Sequence, residues 1–67
     1  MKARTLYGFK DSERVRDVRD GTTGTVVFLD LTDEQHASGE YEEAEVVWDD
    51  AAFADGLSLA APHLTRI

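Results

Sequence analysis

The chain has 67 residues and room for one small domain, since a domain of this size buries only about 60% of its unfolded surface. It has no Cys, which excludes disulfides and thiolate metal sites, and no apolar run longer than four residues, which excludes a membrane-spanning helix or a signal-peptide core within it. The net charge of −7 is unevenly placed. Residues 1–29 hold six basic and four acidic groups, whereas residues 30–67 hold Arg66 alone against ten carboxylates. A surface this acidic argues against nonspecific duplex DNA binding, which depends on Lys and Arg neutralising phosphates.

In chain order, residues 1–10 place Leu6, Tyr7 and Phe9 around Gly8, and this predicts an extended segment laying aromatic side chains over an open end of the core. Residues 14–18 and 25–31 are apolar and β-branched runs on either side of Gly21-Thr22-Thr23-Gly24, a turn signal, and they predict a hairpin. Residues 32–40 are polar with one Gly and read as a long exposed loop. Residues 41–48 alternate, with Ala44, Val46 and Trp48 on one face and Glu43, Glu45 and Val47 on the other, so they read as a strand. The Ala-rich stretch 51–55 reads as a short helical turn, and Leu57 with Leu59 as a short strand. Pro62 opens a 3₁₀ turn at residues 62–64, and residues 65–67 form the last strand. The expected fold is therefore all-β, a small five-stranded antiparallel sheet bent into a barrel, because closure removes unpaired edges. Residues 1–13 form an extended N-terminal segment and residues 14–67 the barrel.

The stretch Val15-Arg16-Asp17-Val18-Arg19-Asp20-Gly21-Thr22-Thr23-Gly24-Thr25-Val26-Val27 resembles the glycine-turn core of KOW-type and related SH3-like small barrels. Val46-Val47-Trp48-Asp49-Asp50 is similar to a strand end of bacterial and phage members of that fold. Ala61-Pro62-His63-Leu64-Thr65-Arg66-Ile67 is similar to their closing 3₁₀ turn and last strand. The resemblance implies an SH3-like barrel and a binding role, toward RNA or ribonucleoprotein in KOW members and toward peptides or proteins in related barrels. Asp17 departs from the pattern by standing where an inward apolar residue belongs, and a β-bulge there would restore the alternation.

The residues offer little for catalysis. Nucleophilic chemistry needs an activated Ser, Cys or Thr beside a base; the only imidazoles are His36 and His63, and no Ser sits in an elbow-type glycine context. Asp33, Glu34 and His36 lack the spacing of a metal loop. No catalytic residue, metal, cofactor or small-molecule substrate is expected, and the chain is read as a cytoplasmic non-enzyme.

Three binding readings remain. In the preferred one, the module is a protein-binding adaptor or inhibitor, or self-associates. It uses the 32–40 loop and an outward face carrying Val27, Leu29, Tyr41, Glu43, Glu45 and Val47, because strand alternation turns these away from the core. In the second, Lys10, Arg14, Arg16 and Arg19 aim at phosphates of a nucleic acid or ribonucleoprotein. In the third, the row of carboxylates mimics a phosphate backbone and inhibits a DNA-binding protein. Compensated arginines beside an exposed apolar face would favour a protein partner, and uncompensated arginines a nucleic acid.

Overall fold

The computed structural model describes residues 4–67, and residues 1–3 of the predicted N-terminal segment lie outside the described residues. Among the described residues no helix is long and apolar enough to cross a membrane. Residues 5–10 form a hairpin rather than an extended segment: β1 (Thr5–Leu6) pairs with β2 (Phe9–Lys10) in the register Leu6↔Phe9. The two turn residues are both left-handed, Tyr7 at φ 53° and Gly8 at φ 85°. This is the geometry that matches a two-residue loop to strand twist. Phe9 enters the core and Leu6 packs against it, while Tyr7 stays in solvent. Arg66 lies over the Phe9 ring, 5.1 Å from its centroid, and donates to the Gly8 carbonyl, tying the hairpin to the last strand.

The rest is an antiparallel sheet of five strands, β3 (Arg14–Asp17), β4 (Thr23–Phe28), β5 (Ala44–Trp48), β6 (Ala54–Gly56) and β7 (Leu64–Arg66), in the order β6-β5-β4-β3-β7. Period-two alternation turns Val15, Val26, Ala44, Val46 and Trp48 to one face, where all are buried. Cross-strand partners on that face complement one another in size: Gly24 faces Trp48, Val26 faces Val46, and Phe28 faces Ala44. Gly24 is required by this packing, because a Cβ there would stand 2.8 Å from the Val47 carbonyl and 2.9 Å from Trp48 Cε3.

The fold is mostly strand, as expected, but the sheet is open. Its edges β6 and β7 do not pair with each other. They are joined by α2 (Leu57–Ala60) and a 3₁₀ turn (Ala61–His63), and α2 packs on β5 and β6 with Leu57 and Ala60 in the core. The 3₁₀ turn and the last strand appear within one residue of their expected places.

Four local expectations are corrected. Residues 32–40 are not a loop: they hold α1 (Asp33–Ser38), closed by a reciprocal capping box in which Gln35 N donates to Thr32 Oγ1 at 3.1 Å and Thr32 N to Gln35 Oε1 at 3.0 Å. Gly39, left-handed at φ 69°, ends that helix. Residues 51–55 are not a helical turn, because Ala54 and Asp55 pair with Val47 and Val46 as an edge strand, and the ladder outweighs alanine's propensity. Leu57 and Leu59 do not share a strand face. They lie on a helix, Leu57 fully buried with Ala60 and Leu59 exposed. The N-terminus of α2 has no side-chain cap of its own, and Glu42 supplies one by accepting from Ser58 N at 3.1 Å and Ser58 Oγ at 2.7 Å. Finally, no bulge is needed at Asp17, which pairs regularly with Leu64 and points inward as a buried carboxylate.

Candidate functional site

Of the outward residues singled out in the sequence, Val27, Leu29, Glu43, Glu45 and Val47 lie on the adjacent strands β4 and β5 or at their ends, and Tyr41 lines a separate hollow beside α1. Val27 faces Glu45, Val47 sits in the next outward row beside Thr25, and Leu29 N donates to the Glu43 carbonyl at 2.9 Å. Tyr41 stands exposed ahead of β5 and, with Glu34, Gln35, Ser38 and Glu40 around α1, lines a polar hollow of about 280 Å³. The apolar part of this face is modest, since Val27 and Leu29 are half-buried and Val47 is 42% exposed. The Glu43 carboxylate is engaged by Arg4 at 3.3 Å and by His36 Nδ1 at 3.2 Å.

Half of the basic group is neutralised by ion pairs. Arg14 donates to Asp49 through two nitrogens, at 2.8 and 2.6 Å, and to Thr25 Oγ1 at 2.9 Å, while Thr23 Oγ1 also donates to Asp49 at 2.7 Å. These hydrogen bonds hold the Asp49 carboxyl far below the usual carboxylate range and raise the Arg14 guanidinium above its ordinary value. Arg19 is paired with Asp17. Among the described residues Lys10 and Arg16 make no ion pair, so two of the four candidate phosphate contacts keep their charge uncompensated.

A second candidate site is lined by the end of β3, the turn that follows it, the end of β5 and β6. Regular pairing turns Asp17 inward at the end of β3, where it is 3% exposed. Such a group needs partners, and it has three: Arg19 N at 2.8 Å, Arg19 Nε at 3.1 Å and the far Arg19 nitrogen at 2.7 Å. The guanidinium and backbone N–H of Arg19 bring the Asp17 carboxyl down to about 2. The turn that follows is set by Asp20, whose Oδ1 accepts from Thr22 N at 2.9 Å, and by left-handed Gly21. Trp48 ends β5 with its ring in the core and its Nε1–H donating to Asp55 Oδ2 on β6 at 2.7 Å. Between them residues 49–53 loop outward and leave Phe53 66% exposed.

These elements enclose an open groove of about 290 Å³ lined by Asp17, Arg19, Asp20, Trp48, Asp50, Phe53 and Asp55, with Thr22 and Ala51 completing the wall. A smaller hollow of about 180 Å³ adjoins it, lined by Arg19, Asp55, Leu59 and Ala60. No family model, curated protein or solved structure matches this chain. Among the described residues no three His, Asp or Glu side chains stand close enough to hold a metal ion. The geometry suits binding of a polar or charged group against an aromatic surface. Sequence reasoning placed Trp48 in the core and Asp49-Asp50 in a solvated turn, and so missed the groove. Its one local trace was Asp17, a carboxylate at an inward strand position.

Proposed function

We propose that the chain is a small SH3-like, non-enzymatic protein-binding module and that the Trp48–Phe53 groove is its contact site. The strand order, with β7 returning beside β3 after a 3₁₀ turn, supports the SH3-like reading. The observation that carries the binding role is Phe53, a large aromatic side chain left 66% exposed at the mouth of a formed groove. Aromatic anchors in concave sites dominate protein interfaces. The internal pairing of Arg14 and Arg19 favours this reading over a nucleic-acid contact. The groove is preferred to the outward face of β4 and β5 because Val27 and Leu29 are already half-buried there. Affinity capture from the source cells with wild-type chain and with Phe53→Ala tests the proposal. A partner that is held by the wild type and lost by the variant, with the fold of both verified by circular dichroism, supports it. Equal recovery by both contradicts it.

A further inference from the structure

We infer that the groove receives a basic side chain, arginine or lysine, from a peptide segment of the partner, with an apolar neighbour of that residue resting on Leu59. This rests on the protein-binding reading of the same groove and names the chemistry of its ligand.

The first support is charge. The groove is lined by four carboxylates and one guanidinium. Asp17 is fully engaged by Arg19, but Asp20 and Asp55 each use a single oxygen, toward Thr22 N and Trp48 Nε1, and the Asp50 side chain makes no hydrogen bond among the described residues. Acceptor oxygens of three exposed carboxylates along one groove therefore have no partner within the protein, and an incoming cation can exchange their water for charge-assisted hydrogen bonds. The site already holds a guanidinium of its own: Arg19 is raised above its ordinary value first by the hydrogen bond to Asp17, and then by the charges of Asp17, Asp20 and Asp55.

The second support is the aromatic wall. A guanidinium or ammonium is attracted to an aromatic face, and the aliphatic stem of Lys or Arg covers apolar surface while its head stays polar. Phe53 is exposed at the groove and Trp48 lines it. The third is size. At about 290 Å³ the groove lies at the lower limit of small-molecule sites, which suits one long side chain better than a whole cofactor. The fourth is continuity: the adjoining hollow shares Arg19 and Asp55 with the groove and exposes Leu59, so an apolar contact lies directly beside the polar one.

Trp48 is the only Trp and lines the groove, so its fluorescence reports occupancy. The chain is titrated with a synthetic octapeptide carrying two Arg flanked by Leu, and with the same peptide carrying Glu in place of Arg. Expected are saturable binding of the Arg peptide, weakening about tenfold or more in both Asp50→Asn and Phe53→Ala, and no binding of the Glu peptide. Equal binding of the two peptides, absence of Arg-peptide binding, or unchanged affinity in both variants overturns the inference. If the Arg peptide fails while cellular capture still depends on Phe53, the ligand class is wrong and the protein-binding reading stands. If capture is also indifferent to Phe53, both fall.

Discussion

The clearest energetic test of the fold is the contrast between Leu57 and Leu59. Leu57 is fully buried in the first turn of α2, within the cluster of Phe9, Val15, Val26, Ala44, Val46, Trp48 and Ala60, whereas Leu59 is 80% exposed. Truncating a fully buried Leu removes its transfer free energy and leaves a cavity, at a cost of about 2–5 kcal/mol. A chain of 67 residues has a total stability of about 3–10 kcal/mol at the usual range per residue. Leu57→Ala should thus lower Tm by at least about 8 °C, at about 4–8 °C per kcal/mol for a domain this small, and at the upper end unfold it. Leu59→Ala should stay within about 0.5 kcal/mol of wild type. Thermal melts followed by circular dichroism and by Trp48 fluorescence measure both. A strand over these residues would place Leu57 and Leu59 on the same face, so comparable losses in the two variants would refute the helical assignment and the core built on it.

Three further outcomes follow from the packing and the ion pairs. Gly24→Ala drives a Cβ to within 2.9 Å of Trp48 Cε3 and 2.8 Å of the Val47 carbonyl, and should cost about 1–3 kcal/mol in a urea or thermal melt; an unchanged midpoint would contradict the Gly24–Trp48 packing. Asp17 has a carboxyl near 2 in the folded state because Arg19 holds its charged form, below its value in the unfolded chain, so its stabilising contribution is complete above about pH 4 and is lost as pH falls toward 2. Urea midpoints between pH 2 and 6 should fall on acidification, less steeply in Asp17→Asn, and identical slopes would argue against the pair. With Arg14 and Arg19 neutralised in place, random duplex DNA should show no retardation in a mobility-shift assay at physiological salt; salt-sensitive binding abolished by alanine at Arg14, Arg16 and Arg19 would instead support the nucleic-acid reading.

The sequence exposed the parts of the fold that depend on alternation. Val15, Val26, Val46 and Trp48 announce β3, β4 and β5 because one face of each strand is buried, and Pro62 marks the 3₁₀ turn before β7. Elements without an apolar stripe stayed hidden. Helix α1 buries no residue, although Thr32, Gln35 and Gly39 carried its capping signals. In α2 the buried pair is Leu57 and Ala60, and the small Ala60 is a weaker pattern than the misleading Leu57–Leu59 alternation. The outward face was legible because it belongs to two adjacent strands. The groove was not, because its lining runs from Asp17 to Asp55 and is assembled only when β5 pairs with both β4 and β6.

Whether the groove is the binding site can be tested directly by heteronuclear NMR during titration with the Arg-containing octapeptide. The lone indole N–H of Trp48, hydrogen-bonded to Asp55, gives one resonance that reports the groove without ambiguity. The predicted result is progressive shifts confined to that indole, Asp20, Asp50, Phe53, Asp55 and Leu59. Shifts centred on Val27, Leu29 and Val47, or no shifts at all, would contradict the assignment of the groove as the binding site.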